Sequence, residues 1–238
     1  MRGSASPATT PLTRRVPGGS GSDDPGPAGA RGRRHGMTTL RIERTPEQLA
    51  EELKGLEHVD WPAVWAGPPS PGQALDDWCA LFGWQPTSAE RVLSVRSSTG
   101  QSIELSPVRS GGWAPVKQLG WTSWNLWADD PSENDEVLAR AAEVWAAYEE
   151  AARTVLGEPT FSGAWDAPDF PEPPHERHWL MPRDLRLEDM DPYRLAMWPE
   201  DGPEGRITVL TVNPGLAPVP GESRGVLIEV NCYPPEAP

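Results

Sequence analysis

The strongest secondary-structure pattern in this chain is a long amphipathic stretch near its middle, between residues 130 and 156. Apolar residues recur there at every third or fourth position, which is the spacing of one face of an α-helix. They are Val137, Leu138, Ala141, Val144, Trp145, Tyr148, Ala152, Val155 and Leu156. Asp130-Pro131-Ser132-Glu133 has the pattern of a capping box, and Gly157 and Pro159 end the stretch. A helix with this apolar face has to bury it, so the rest of the chain must supply a second layer.

Short apolar and β-branched runs on both sides of this helix predict that second layer. The segment ERVLSVRSSTGQSIELS has the pattern of a hairpin with its turn at SSTG, and a third strand is expected within residues 117–128. Further strand candidates follow the helix: RHWLM, YRLAMW, RITVLTV and GVLIEVNCY. Turn sequences rich in Pro and Gly separate the last three, which is typical of an antiparallel sheet.

Two helices are predicted before the hairpin. Thr45-Pro46-Glu47-Gln48 combines an N-cap, a proline at the first helical position and a capping-box glutamine. The same pattern recurs at Ser70, Pro71 and Gln73, and HVDWPAVWAGPP between the two helices is expected to be a loop anchored by tryptophans. The order of elements predicts an α+β fold, an antiparallel β-sheet with helices packed mainly on one face.

The first 36 residues differ in composition from the rest. They are rich in Pro, Gly and Ser and hold almost nothing that can be buried, so we expect residues 1–36 to be a disordered tail. Gly32-Arg33-Arg34 can be encoded by a purine-rich, ribosome-binding sequence just before Met37, and our hypothesis is that translation begins at Met37. Residues 37–238 are then expected to form a single α+β domain.

Charge and composition narrow the classes of function. The net charge is −14 for the whole chain and +4 for residues 1–36, which leaves −18 on residues 37–238. Such a surface repels nucleic acid and favours a basic protein partner. No apolar run approaches the roughly 18 residues that a membrane span needs. Two cysteines, Cys79 and Cys232, imply no disulfide framework, and a cytoplasmic location is expected.

The segment LGWTSWNLWADDPSEND, residues 119–135, places three tryptophans before a group of acidic residues. On a regular strand Trp121 and Trp127 would share one face and Trp124 the other, so the three cannot form one flat platform. Packing in the core is the favoured interpretation; docking of a partner and stacking on a carbohydrate are the alternatives.

The acidic residues after the tryptophans give the predicted partner surface. Asp130 and Glu133 are explained by capping and by the positive end of the helix dipole. The residues that remain as candidates for contact with a basic partner are Trp127, Asp129, Asp135 and Glu136.

Other patterns that could carry chemistry are weak here. In an extended chain His175 and His178 point to opposite faces, so a metal site is not expected there. The cysteines are expected to be buried and inert. Paired carboxylates occur at Asp76/Asp77, Asp129/Asp130, Glu149/Glu150 and Asp189/Asp191, and the two pairs on helices, Asp76/Asp77 and Glu149/Glu150, are expected to be solvated. We therefore predict no catalytic residue, no cofactor and no metal ion.

Several of these segments together resemble known sequences. The helical ALDDWCALFGW, the long helix ending in LGEPT, and the strands RLAMW and ITVLTV resemble small actinobacterial families of unknown function. Some of these look like immunity proteins of polymorphic toxin systems. The match covers roughly residues 70–213, and an abundance of Arg over Lys agrees with a GC-rich bacterial genome.

The resemblance implies a non-catalytic protein that binds and neutralises a basic toxin. A carbohydrate- or small-molecule-binding module is the alternative, and exposed, coplanar tryptophans would favour it. A hydrolase is the third possibility, and convergent buried carboxylates would favour it.

Overall fold

The computed structural model describes residues 39–90, 92–109, 113–172, 180–199, 205–215 and 222–235. The predicted tail at 1–36, the proposed start at Met37 and the His175–His178 pair all lie outside these ranges, as does most of the strand predicted at RHWLM.

The described residues form nine strands, and all of them pair antiparallel in one sheet. The strands are β1 Thr39–Glu43, β2 Gln85–Ala89, β3 Leu93–Arg96, β4 Ser102–Pro107, β5 Val116–Trp127, β6 Phe161–Ala164, β7 Arg194–Pro199, β8 Ile207–Pro214 and β9 Gly225–Tyr233. Their order is β2-β3-β4-β5-β9-β8-β7-β6, and β1 pairs with the C-terminal half of β5. The hairpin β3–β4 and the strands β5, β7, β8 and β9 confirm the sequence prediction.

Five α-helices accompany the sheet within the described part of the chain. They are α1 Pro46–Gly55, α2 Trp61–Ala66, α3 Gln73–Ala80, α4 Asn134–Leu156 and α5 Arg183–Asp189. The capping box of α1 is confirmed, because Thr45 Oγ1 accepts from the Gln48 amide and Gln48 Oε1 accepts from the Thr45 amide. None of the described helices is both long enough and apolar enough to cross a membrane.

Two predictions about the N-terminal helices were wrong. The segment predicted as a loop contains α2, whose N-cap is Asp60: its side chain accepts from the Ala63 amide. The second helix begins at Gln73 rather than at Pro71, and Ser70 does not cap it. Gly72 is the N-cap residue there with φ of 137°, a conformation that glycine adopts without the steric cost of a side chain.

The start of α4 also differs from the predicted capping box. Pro131–Glu133 form one turn of 3₁₀-helix, and α4 itself begins at Asn134. Asp130 caps the 3₁₀ turn by accepting from the Ser132 amide, whereas Glu133 accepts from the Asp129 amide one residue earlier than a capping box requires. The extra turn moves the start of α4 to Asn134, while the apolar face of the helix and its end at Leu156 agree with the prediction.

The helices lie mainly on one face of the sheet, as predicted; α5 is the exception, since its Arg186 stacks on Phe170 of the second apolar cluster on the other side. α4 packs on β5, β8 and β9, and α1 packs on α4. The buried side chains of α4 follow the predicted spacing: Val137, Ala141, Trp145, Tyr148 and Ala152. Alternate residues of β9 belong to the same core on the sheet side: Val226, Ile228, Val230 and Cys232. Cys79 joins the same core, and burial raises the pKa of its thiol to about 11.

The opposite face of the sheet is covered at one end only. A second apolar cluster covers β7 and β8 on that side, with Phe170 and Leu180 packed on Leu195, Ile207 and Val209. Over β4, β5 and β9 the same side carries polar side chains. We call this second side of the sheet the open face.

Replacing Trp145 with alanine tests the packing of α4. The indole is buried in the helix-side core, so the substitution should lower the free energy of unfolding by about 3–5 kcal/mol, as large aromatic truncations do. Urea unfolding measures this, with Glu150→Ala on the exposed side of α4 as the control, expected to change it by less than about 0.5 kcal/mol. Equal unfolding free energies for the two variants would contradict the packing.

Candidate functional site

The structure brings the four predicted contact residues to one place, the connection between β5 and α4. Trp127 is the last residue of β5, Asp129 follows it, and Asp135 and Glu136 lie in the first turn of α4. The three carboxylates are exposed, and Trp127 is half-buried. We call residues 127–136 the β5–α4 junction.

Hydrogen bonds tie this junction to the chain just before β9. The side chain of Asn134 donates to the carbonyl of Glu222 and accepts from the amide of Arg224, at 3.1 and 2.7 Å. The Ala128 amide donates to the Arg224 carbonyl. The hydrogen bond from Ser132 holds the pKa of the Asp130 carboxyl below its usual value. The acidic residues therefore sit on a fixed piece of backbone.

The tryptophans do not alternate as a regular strand predicts. The register of β5 against β9 shifts between Thr122 and Trp124, so Ser123 is an extra residue. Trp121 and Trp124 then pair with Val230 and Ile228 on the helix side, and they are only 5% and 4% exposed. The prediction that they lie on opposite faces was wrong because it assumed an unbroken strand.

Trp127 is the tryptophan of this segment that lies on the open face. It pairs with Gly225, and a Cβ atom on Gly225 would lie 2.6 Å from the indole ring. The absence of a side chain at 225 is therefore what allows Trp127 to pack flat on β9.

Two cavities lie side by side on the open face, and Glu229 and Asn231 of β9 line both. The first, of about 360 Å³, lies between β8–β9 and the segments around Leu180 and Asp191. The second, of about 300 Å³, lies over β4 and β5. We call the two together the outer trough.

Neutral side chains hold the Glu229 carboxylate in the middle of the outer trough. Thr122 Oγ1 donates to one oxygen at 3.2 Å, and Asn213 Nδ2 donates to the other at 2.6 Å. Beside it, Gln118 Nε2 donates to Asn231 Oδ1 at 2.7 Å. The strand pairing places these groups together, because Thr122 is opposite Glu229 and Gly120 is opposite Asn231.

A second carboxylate in the outer trough has a perturbed pKa. Burial, together with the negative charges of Asp189 and Glu229, raises the pKa of Asp191 to about 6. Burial and the Glu229 charge also raise the pKa of Tyr233 well above its usual value. An excess of negative charge in a partly desolvated place explains both shifts.

A cavity of about 720 Å³ lies elsewhere, between α2 and the end of α4. Its cationic residue serves the fold: the Arg206 guanidinium lies 4.8 Å from the Trp61 ring and donates to the Leu56 carbonyl and to Thr208 Oγ1. The buried carboxylate of Glu52 likewise serves the fold, since it joins α1 to the β3–β4 hairpin through Ser97 and Thr99.

Sequence reasoning missed the outer trough. In the sequence, Asp191 is recognisable only as half of an acidic pair and Glu229 only as part of a strand. The available signal was the alternation within β9, where Leu227, Glu229, Asn231 and Tyr233 interleave with four buried residues. The convergence of Asp191 on Glu229 depends on the fold, because nearly 40 residues separate them in sequence.

Comparison of this chain with known protein families, with curated proteins and with solved structures finds no match. Within the described ranges, no group of three or more His, Cys, Asp and Glu side chains is placed to hold a metal ion.

Replacing Asp191 with asparagine should make stability less dependent on pH. The folded-state pKa of about 6 lies above the ordinary 3.8, so the contribution of Asp191 to stability is present below about pH 4 and is lost as the pH rises through 6. The amide cannot ionise, so at pH 7 the variant should be more stable than the wild type by about 1–3 kcal/mol. Near pH 4 the difference should vanish.

Urea unfolding across this pH range measures the effect, with Asp184→Asn on the exposed side of α5 as the control. An Asp191→Asn variant whose advantage is the same at both ends of the range would contradict the assigned pKa.

Proposed function

We propose that this protein acts by binding a basic protein partner, as an immunity-type protein does when it neutralises a toxin, and that it performs no chemistry. The observation that carries the proposal is the β5–α4 junction, where exposed carboxylates follow a half-buried tryptophan along backbone that hydrogen bonds hold in place.

The junction contains acidic residues with two different roles. Asp130 and Glu133 cap backbone amides, so the fold accounts for them. Asp135 and Glu136 are exposed, and among the described residues neither side chain takes part in an ion pair or a hydrogen bond. Charges that contribute little to stability are available for a partner, and we assign these two residues to recognition.

The charge of the chain supports the same proposal. Residues 37–238 carry −18, and a field of this sign speeds the approach of a positively charged protein. Exposed charges act over about 8–10 Å at physiological salt, so the residues nearest the contact dominate the effect. Trp127 would then supply apolar area at the centre of the contact, since aromatic residues are enriched among interface hot spots.

In the immunity-type role the protein would cover the basic active site of a toxin with carboxylates, and it would act in the cytoplasm, where the producing cell needs protection. The alternative, a carbohydrate- or small-molecule-binding module that uses exposed tryptophans, has less support in this segment because Trp121 and Trp124 are buried and Trp127 packs on Gly225.

Reversing Asp135 and Glu136 to lysine tests the proposal. An immunity-type role implies a toxin encoded directly upstream, so the product of that neighbouring gene is the partner to test. With it, the double variant should associate about tenfold more slowly at low salt, and its rate should depend less on salt, while stability barely changes. Stopped-flow or biosensor kinetics over a salt series measure both quantities.

The matched control reverses Asp76 and Asp77, an exposed acidic pair on α3, and thereby makes the same change in net charge. If the two double variants associate at the same rate, overall charge rather than the β5–α4 junction drives the encounter. If the wild-type chain forms no complex with the neighbouring gene product, the immunity-type role is wrong.

A further inference from the structure

The outer trough plays no part in the proposed contact with a protein partner, yet it has the size and shape of a ligand site. Its two parts, of about 360 and 300 Å³, are each at the lower end of the range of small-molecule sites and share two β9 side chains. One part of the wall of the first cavity is apolar and includes Leu195, Val209 and Leu227.

The charged groups that line the outer trough all have one sign. They are Asp191 in the first cavity, Glu104 in the second and Glu229 in both. No Lys, Arg or His is among the described residues that line either cavity, and none of the three carboxylates is in a salt bridge within the described structure. The partners that hold Glu229 are a hydroxyl and an amide, which leave its charge uncompensated.

A buried acceptor at the wall of the second cavity points independently to a ligand that donates hydrogen bonds. Gln101 is only 6% exposed and lines this cavity. Its Nε2 donates to the carbonyls of Ser102 and Thr122, at 2.9 and 3.5 Å. Its Oε1 is buried and has no hydrogen-bond partner in the described structure. A buried acceptor without a donor is costly, so a donor from a ligand would stabilise the site.

We propose that the outer trough binds a small organic cation, an aliphatic amine whose ammonium groups lie beside Glu229 and its neighbouring carboxylates. An ammonium group offers three donors and no acceptor, which matches a site made of carboxylates and an unpartnered amide oxygen. Charge-assisted hydrogen bonds of this kind are the strong ones. The methylene chain of such a ligand would lie along the apolar wall.

Three probes with the same number of carbon atoms but different charges test the proposal on the full-length protein. They are hexamethylenediamine, hexanediol and adipate. Calorimetry measures affinity, and amide shifts in NMR spectra locate the binding. The diamine should bind saturably and shift the amides of Gln101, Thr122 and Asn213, with an affinity at least about tenfold above that of the diol. Adipate should not bind.

Three variants distinguish binding in the outer trough from non-specific attraction of the diamine to an acidic surface. Glu229→Gln keeps the shape of the side chain and should weaken diamine binding by about tenfold or more. Glu104→Gln, at an exposed position where folding is not at risk, should weaken it by about threefold. Glu188→Gln, exposed on α5, should leave the affinity unchanged.

Three results would overturn the proposal: equal binding of diamine and diol, binding of adipate, or unchanged diamine affinity in both the Glu229 and the Glu104 variants. The same amide shifts produced by calcium or magnesium alone would also overturn it, because they would assign the site to a metal ion.

Discussion

The pairing of β5 with β9 is the interaction on which the rest of this structure depends. It joins the two halves of the sheet, and its register decides which side chains face the helices and which face outward. On the helix side, Val226, Ile228 and Val230 meet Leu126, Trp124 and Trp121, which supply much of the floor under α4. On the open face the same pairing places Thr122 beside Glu229 and Trp127 over Gly225. One ladder of backbone hydrogen bonds thus builds the core and both candidate sites.

The two candidate sites both present negative charge but differ in construction. At the β5–α4 junction, exposed carboxylates follow one half-buried aromatic residue along the chain, which suits a broad contact with another protein. In the outer trough, half-buried carboxylates lie among amides, hydroxyls and aliphatic walls, which suits a small amine. Under the two proposals, the strongly negative field of the chain would act on the approach of a cation, and contacts at these two sites would determine what binds.

Much of the fold follows from the sequence because its signals are local. The period of the apolar residues in α4 and the alternation in β8 and β9 depend only on neighbouring positions, and the capping box of α1 needs four residues. Features that depend on tertiary context were missed. The bulge at Ser123 has no sequence signature. Because of it, Trp121 and Trp127 lie on opposite faces of the sheet, whereas an unbroken strand would place them on the same face. The convergence of Asp191 and Glu229 requires the connection before β7 to lie beside β9, and no local pattern predicts this. The exposed acidic residues of the junction could be located from sequence, because capping explains their neighbours.

The proposal that a basic protein is recognised through the β5–α4 junction can be tested by hydrogen–deuterium exchange. Exchange is compared between the chain alone and the chain with the product of the neighbouring gene. The first amides of α4 have no carbonyl partner within the helix, so those left uncapped exchange quickly unless a partner covers them. We expect slower exchange over residues 128–138 in the complex. A complex that forms with unchanged exchange there, or with protection confined to α3, would contradict it.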